Sequence, residues 1–199
     1  LLTQDQFVRS TRFITACERI RRDNVEELGE SKISIGLWIG GAGTPNVVGT
    51  DFGAHEVYKK LKEEKQPQCR SPFILGSCPW CGTNLVPFDK CDDSHYGFEV
   101  DEYNFIIKCP SLKCDFHDEL PVQVIDEELY ANPPTFLLGT IDKFAQFAHN
   151  PNAGNLICTE NECVNLIIQD ELHLISGPLG TITGVFEAAF DTMLSHHQH

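Results

Sequence analysis

Basic residues are scarce in this sequence. Its 15 Lys and Arg stand against 29 Asp and Glu, a net charge of −14, which argues against a free-standing nucleic-acid binder. Long apolar runs are missing as well: none approaches the roughly 18 residues of a membrane helix, so no membrane partner is expected. Leu1-Leu2-Thr3-Gln4 has neither the basic region nor the apolar stretch of a secretory leader, and the sole methionine is Met193. We therefore read the chain as a piece of a longer polypeptide. A phosphate loop is also lacking. Gly-x-x-x-x-Gly-Lys-Ser/Thr cradles phosphates with backbone amides and places a Lys on them; residues 40–50 are Gly-rich without a Lys, and Ser31-Lys32 has no glycines around it. This piece alone is not expected to turn over ATP.

What is present suits a globular domain. The 199 residues, 41% hydrophobic and 22% charged, make one full-sized domain or one domain with a small insertion. The acidity is local: residues 89–128 hold 12 acidic against 3 basic residues, a net of −9 out of −14. The first forty residues are balanced and include Arg9, Arg12, Arg19, Arg21 and Arg22. Nine cysteines without a leader point to a reducing, cytoplasmic setting and to metal ligation rather than disulfides.

Periodicity predicts an α/β order. Thr3 and Gln6 have capping-box spacing, followed by Phe13, Ile14, Cys17 and Ile20 at helical spacing and by Arg21-Arg22 at the end. Ile33, Ile35, Leu37 and Ile39 alternate as a strand, halted by glycines and Pro45. A helix over 52–65 would bury Ala54, Val57, Tyr58 and Leu61. Residues 66–126 break the rhythm with turn signals, paired cysteines and a hairpin around 98–107. The rhythm then resumes with a buried strand over 135–139, a short helix over 141–148, a buried strand over 164–168 and a final helix opening near Pro178. Trp38 and Phe136 are core candidates, and Asp126-Glu127-Glu128 reads as a helix N-terminus with a solvated face.

Two groups of residues carry chemistry. In Leu166-Ile167-Ile168-Gln169-Asp170-Glu171-Leu172-His173 an apolar run ends in adjacent carboxylates. At the carboxyl end of a parallel strand such groups sit where open α/β sheets bind ligands. There Asp170, with Gln169 beside it, would hold Mg²⁺ and ATP, while Glu171 stays free to orient an attacking water. Thr140 and Lys143, in the loop after the preceding strand, offer a hydroxyl and a cation. The second group is Cys78-Pro79-Trp80-Cys81-Gly82, a knuckle in which two thiolates bracket a tight turn. Its partner pair is Cys109 and Cys114, for tetrahedral Zn–S₄ ligation. The four residues between Cys109 and Cys114 leave Cys91 and His117 as substitutes. Cys158 and Cys163 are read as unliganded thiols.

On Leu1-Leu2-Thr3, residues 33–40, 133–144 and above all Ile168-Gln169-Asp170-Glu171-Leu172-His173-Leu174-Ile175-Ser176-Gly177-Pro178-Leu179-Gly180-Thr181, the chain resembles superfamily 2 DExH-type helicases, and in particular the helicase subunit of bacterial DISARM anti-phage systems. The resemblance covers most of the chain, cysteine insertion included. It implies a partial RecA-like (P-loop NTPase) motor lobe with a parallel sheet, residues 1–65 and 127–199, interrupted by a zinc-ribbon module, residues 66–126. By the same resemblance the longer polypeptide is an ATP-dependent DNA helicase or translocase working with partner subunits of a defence complex. His173 then couples nucleotide state to the DNA site, and Thr140 and Lys143 lie in the loop that in such helicases meets the nucleic-acid backbone. The alternative is a zinc-ribbon interaction module on a non-catalytic RecA-like scaffold.

Overall fold

The computed structural model describes residues 2–40, 43–49, 52–140, 143–144, 150–158, 163–170 and 188. Two compact units divide it, residues 1–139 and 140–199. In the first, β1 (Ile35–Trp38) is central and parallel to both neighbours, β4 (Val122–Gln123) and β5 (Phe136–Gly139), in the order β4-β1-β5. This is the expected α/β arrangement with a parallel sheet. All four β1 residues are buried, as a strand covered on both faces requires. Gly36 is needed there: a Cβ would lie 2.5 Å from Leu129 Cδ2 and 2.6 Å from Pro134 Cγ.

Helix α1 (Leu2–Asp23) starts ahead of Thr3, the expected cap, so Thr3 lies in its first turn. Its buried stripe also differs from expectation. Phe13 and Ile20 are 69% and 57% exposed, while Phe7, Thr11, Ile14, Thr15, Glu18 and Arg21 face inward. Glu18 decides the matter. It is 1% exposed and accepts from Arg21 Nε and Nη2 (2.8 and 2.9 Å), Arg22 Nε (2.9 Å) and the Ile33 backbone N–H (2.9 Å). Burial opposes its charge, but the bonds from Arg21, Ile33 and Arg22 outweigh that and hold its carboxyl down at about 2. A carboxylate so depressed stabilises the fold above its ordinary value of 4.5, and that stability is lost as pH falls through the folded value. Glu18→Gln should therefore cost about 3 kcal/mol near neutral pH, a deficit that shrinks toward about pH 2. Urea unfolding at both ends of that range checks it; equal stability at neutral pH would remove Glu18 as the hub.

The short α2 (Val25–Leu28) follows, and α3 (Ala54–Glu63) buries Ala54, Tyr58 and Leu61 as expected. The first N–H groups of α3 are satisfied by the loop before it: Ala54 N donates to Val47 O (2.9 Å) and His55 N to Val48 O (3.0 Å). The expected hairpin is present as antiparallel β2 (Phe98–Val100) and β3 (Phe105–Ile107). Asp101 closes its turn, accepting from the backbone N–H groups of Tyr103 and Asn104 (2.7 and 2.8 Å). An aromatic chain joins α3 to the hairpin, with Tyr58 near Tyr96 and Phe98, and Phe73 between Phe98 and Phe105. One hydrophobic cluster runs from Ile35 and Leu37 of the sheet through these rings to Cys78, Cys109 and Cys114.

Helix α4 (Asp126–Ala131) opens on the acidic run, of which Asp126 is buried, Glu127 exposed and Glu128 half-buried, so the expected solvated face holds only in part. Asp126 is 3% exposed and accepts from Tyr130 Oη (3.3 Å), which in turn receives Trp38 Nε1 (3.0 Å). Glu127 accepts from Val48 N (3.0 Å) and thus ties the loop after β1. Glu128 faces a cleft with Glu119, Gln123 and Asn132 against Phe105 and Ile107. Burial raises its carboxyl to about 7; a bond from the Phe105 backbone opposes this, and the charges of Glu119 and Glu127 add to it. A raised carboxyl stabilises the fold below its ordinary 4.5 and loses that stability as pH rises through about 7. Glu128→Gln, which stays neutral, should thus exceed the parent in stability at about pH 8 by roughly 2 kcal/mol, discounted for its partial exposure. Thermal melts should show the gap closing below about pH 5; a gap independent of pH would contradict the assignment.

Two strand expectations change. Phe136, on one of the two edge strands among the described residues, is 40% exposed rather than in the core. Residues 164–170 form no strand, and Leu166, Ile167 and Ile168 are 72%, 44% and 75% exposed. Among the described residues no strand pairs with this segment, and an apolar run without a ladder partner does not become a buried strand. Cys158 and Cys163 are joined in a disulfide across an isolated antiparallel bridge, which replaces the expectation of two free thiols. Among the described residues no helix is long and apolar enough to cross a membrane.

Candidate metal centre and the acidic box

The first cysteine pair lies on a tight reversal. Ser77 and Asn84 form an antiparallel bridge, Cys78 N donates to Thr83 O (2.8 Å), and Gly82 N donates to Cys78 O (2.9 Å). Gly82 has φ +80°, a conformation that suits glycine and lets the turn close behind Cys81. The second pair sits just beyond β3. Cys109 N donates to Phe116 O (2.9 Å) and Cys114 N to Ser111 O (3.0 Å), so Cys109 and Cys114 face the same side despite their longer spacing.

All four sulfurs lie within 4.8 Å of one another. Cys78 Sγ is 3.8 Å from Cys114 Sγ, and Cys81 Sγ is 3.5 Å from Cys109 Sγ. A tetrahedron with Zn–S bonds of roughly 2.3 Å has S–S edges of roughly 3.8 Å, so the donor set fits a closed, four-thiolate site for a metal ion. Neither substitute joins it. Cys91 is exposed and outside the cluster. His117 places Nδ1 3.2 Å from Cys114 O and Nε2 2.9 Å from Asp118 Oδ1, which engages both ring nitrogens.

The thiols are unequal. Burial raises Cys81, but bonds from the Thr83 hydroxyl and backbone and from Cys109 and Cys114 outweigh it and bring the thiol to about 7. Burial pushes Cys109 well above the ordinary thiol range and Cys114 to about 11. Cys81 is also the exposed member, whereas Cys78, Cys109 and Cys114 are buried. A metal ion reaching the cluster from solvent would meet Cys81, the exposed member, first.

Sequence reasoning missed the residues around this cluster. Thr83 lies 3.2 Å from Cys81 Sγ. Trp80, inside the first knuckle, donates Nε1 to Asp115 Oδ2 (3.0 Å), and its ring meets Phe116 edge-on at 5.9 Å. Asp115 and Phe116 follow Cys114 closely, and that position is the signal the sequence offered.

The other candidates are placed less completely. Gln169 and Asp170 are exposed, and Glu171 and His173 lie outside the described residues. Thr140 is half-buried and its carbonyl accepts from Lys143 N (2.9 Å). Lys143, expected to meet a nucleic-acid backbone, is only 4% exposed.

No family model matches the chain. Over a 235-residue alignment it is 29% identical to the DISARM protein DrmA of Bacillus paralicheniformis, a match that takes in 100% of this chain and 20% of that protein. The chain thus spans about a fifth of the length of its curated relative, and the resemblance to a DISARM protein read from its residues holds across the whole of it.

Proposed function

We propose that the chain is part of the first motor lobe of a DNA-dependent ATPase, a helicase or translocase of anti-phage defence, braced by one structural zinc. The observation that carries the motor reading is the similarity to a DISARM protein along the entire chain, joined to the Asp170-Glu171-Leu172-His173 box. The parallel sheet β4-β1-β5 suits a RecA-like lobe. In this reading Asp170 and Gln169 serve Mg²⁺ and ATP, Glu171 orients water, and His173 links nucleotide to DNA. Thr140 and Lys143 contact the DNA backbone, and Cys78, Cys81, Cys109 and Cys114 hold zinc. Residues 66–126 carry the inserted module and 1–65 with 127–199 the lobe, whose sheet also takes in β4 (Val122–Gln123) from the end of the module. The setting is the cytoplasm, with partner subunits of the defence complex.

The second reading, a zinc-ribbon interaction module on a non-catalytic scaffold, is favoured by the buried Lys143 and by the lack of a strand over residues 164–170. DNA-stimulated ATP hydrolysis by the longer polypeptide separates the two, through the acidic-box variant argued below. A polypeptide that binds its partners but neither binds nor hydrolyses ATP is the scaffold.

A further inference from the structure

Both cysteine loops send a side chain to the same spot, and α1 occupies it. Asp115 Oδ2 receives Trp80 Nε1 from the other loop (3.0 Å) and also lies 3.1 Å from Arg19 Nε. The Asp115 carbonyl accepts from Arg22 Nη1 (3.3 Å). Phe116, fully buried, carries the Arg22 guanidinium 4.6 Å from its ring centroid, with Trp80 against the ring's edge. Arg22 and Arg21 then share Glu18, which holds the Ile33 N–H just ahead of β1. A continuous set of contacts runs from the two cysteine loops to the last turns of α1 and on to the central strand.

The geometry points to a metal-dependent latch: the ion in the four-cysteine cluster holds the C-terminal turns of α1 onto the domain by fixing Trp80, Asp115 and Phe116 in one alignment. This rests on the reading that the cluster binds metal. Its physical basis is that Trp80 and Asp115 belong to different loops. Thiol contacts join those loops weakly, whereas four metal–sulfur bonds fix their separation. Coupling of this kind is reciprocal, so α1 must hold the metal as much as the metal holds α1.

The test uses the whole chain and zinc itself. Zinc affinity is measured by competition with a chromogenic chelator, and exchange of the backbone amides of residues 16–23 by mass spectrometry. The double variant Arg19→Ala/Arg22→Ala removes no thiol, yet should weaken zinc binding about five- to tenfold, the combined worth of an ion pair and a cation–π contact. Stripping zinc should speed exchange in residues 16–23 by a similar factor, more than in residues 3–12, and zinc returned should reverse it. Asp115→Asn, which keeps the shape, should weaken zinc binding by about twofold and serves if the double variant does not fold. Zinc affinity unchanged in a folded double variant overturns the latch, as does exchange that rises uniformly along the chain. If the parent binds no zinc, the metal reading itself fails.

Discussion

Cys109→Ser should leave the protein without zinc, where the parent holds one ion per chain by elemental analysis. A serine hydroxyl does not ionise near neutral pH, so only three thiolates remain, and a closed structural site needs four. The energetic effect is large because an ion that binds the folded chain alone stabilises it by mass action, about 4 kcal/mol at a thousandfold excess over Kd. Cys81→Ser should do the same. Disorder should begin at the two loops, which have little core of their own, although Cys78, Cys109 and Cys114 also abut the common hydrophobic cluster. Zinc retained by both variants would sink the assignment.

Glu171→Gln in the longer polypeptide should leave Mg-ATP binding nearly intact while turnover falls by about 10²- to 10⁴-fold. The amide keeps the shape of the side chain but cannot polarise a water as a carboxylate does. Asp170→Asn should differ by weakening nucleotide binding too, because the position of the phosphates depends on the ion held there. His173→Ala should leave basal hydrolysis while reducing its stimulation by DNA. Nucleotide affinity, basal rate and DNA-stimulated rate, measured together, distinguish the three. Unchanged turnover in Glu171→Gln would take from it the role proposed here.

The fold was legible where pattern and packing agree. The strand at Ile35–Trp38, the helix burying Ala54, Tyr58 and Leu61, and the hairpin of Phe98–Val100 with Phe105–Ile107 follow periods that water exclusion enforces directly. The cysteine cluster was legible because knuckle spacing limits where a thiol can point. The inward face of helix α1 was read only in part, because it mixes Phe7 and Ile14 with Thr11, Thr15, Glu18 and Arg21. Hydrophobic periodicity chose Phe13 and Ile20, whereas ion pairing at Glu18 made an acid and an arginine cheaper to bury than those side chains. Asp126 misled for a related reason: a charge run reads as solvated until a tyrosine one turn on supplies its hydrogen bond. Leu166, Ile167 and Ile168 show that apolar composition alone does not make a strand: among the described residues no ladder partner lies beside them.

The shared hydrophobic cluster also bears on how such a protein can change over generations. Phe73, Leu75, Leu85, Tyr96, Phe98 and Phe105 pack into the same interior as Ile35, Leu37 and Val122. The cysteine-bearing segment is therefore not a cassette that recombination can drop or exchange between lineages. Its excision would open the face of the sheet to water, and a foreign replacement would have to reproduce the same filling shape. Length at the exposed hairpin turn is free to drift, while the knuckles and the rings beneath them change only in concert with the strands.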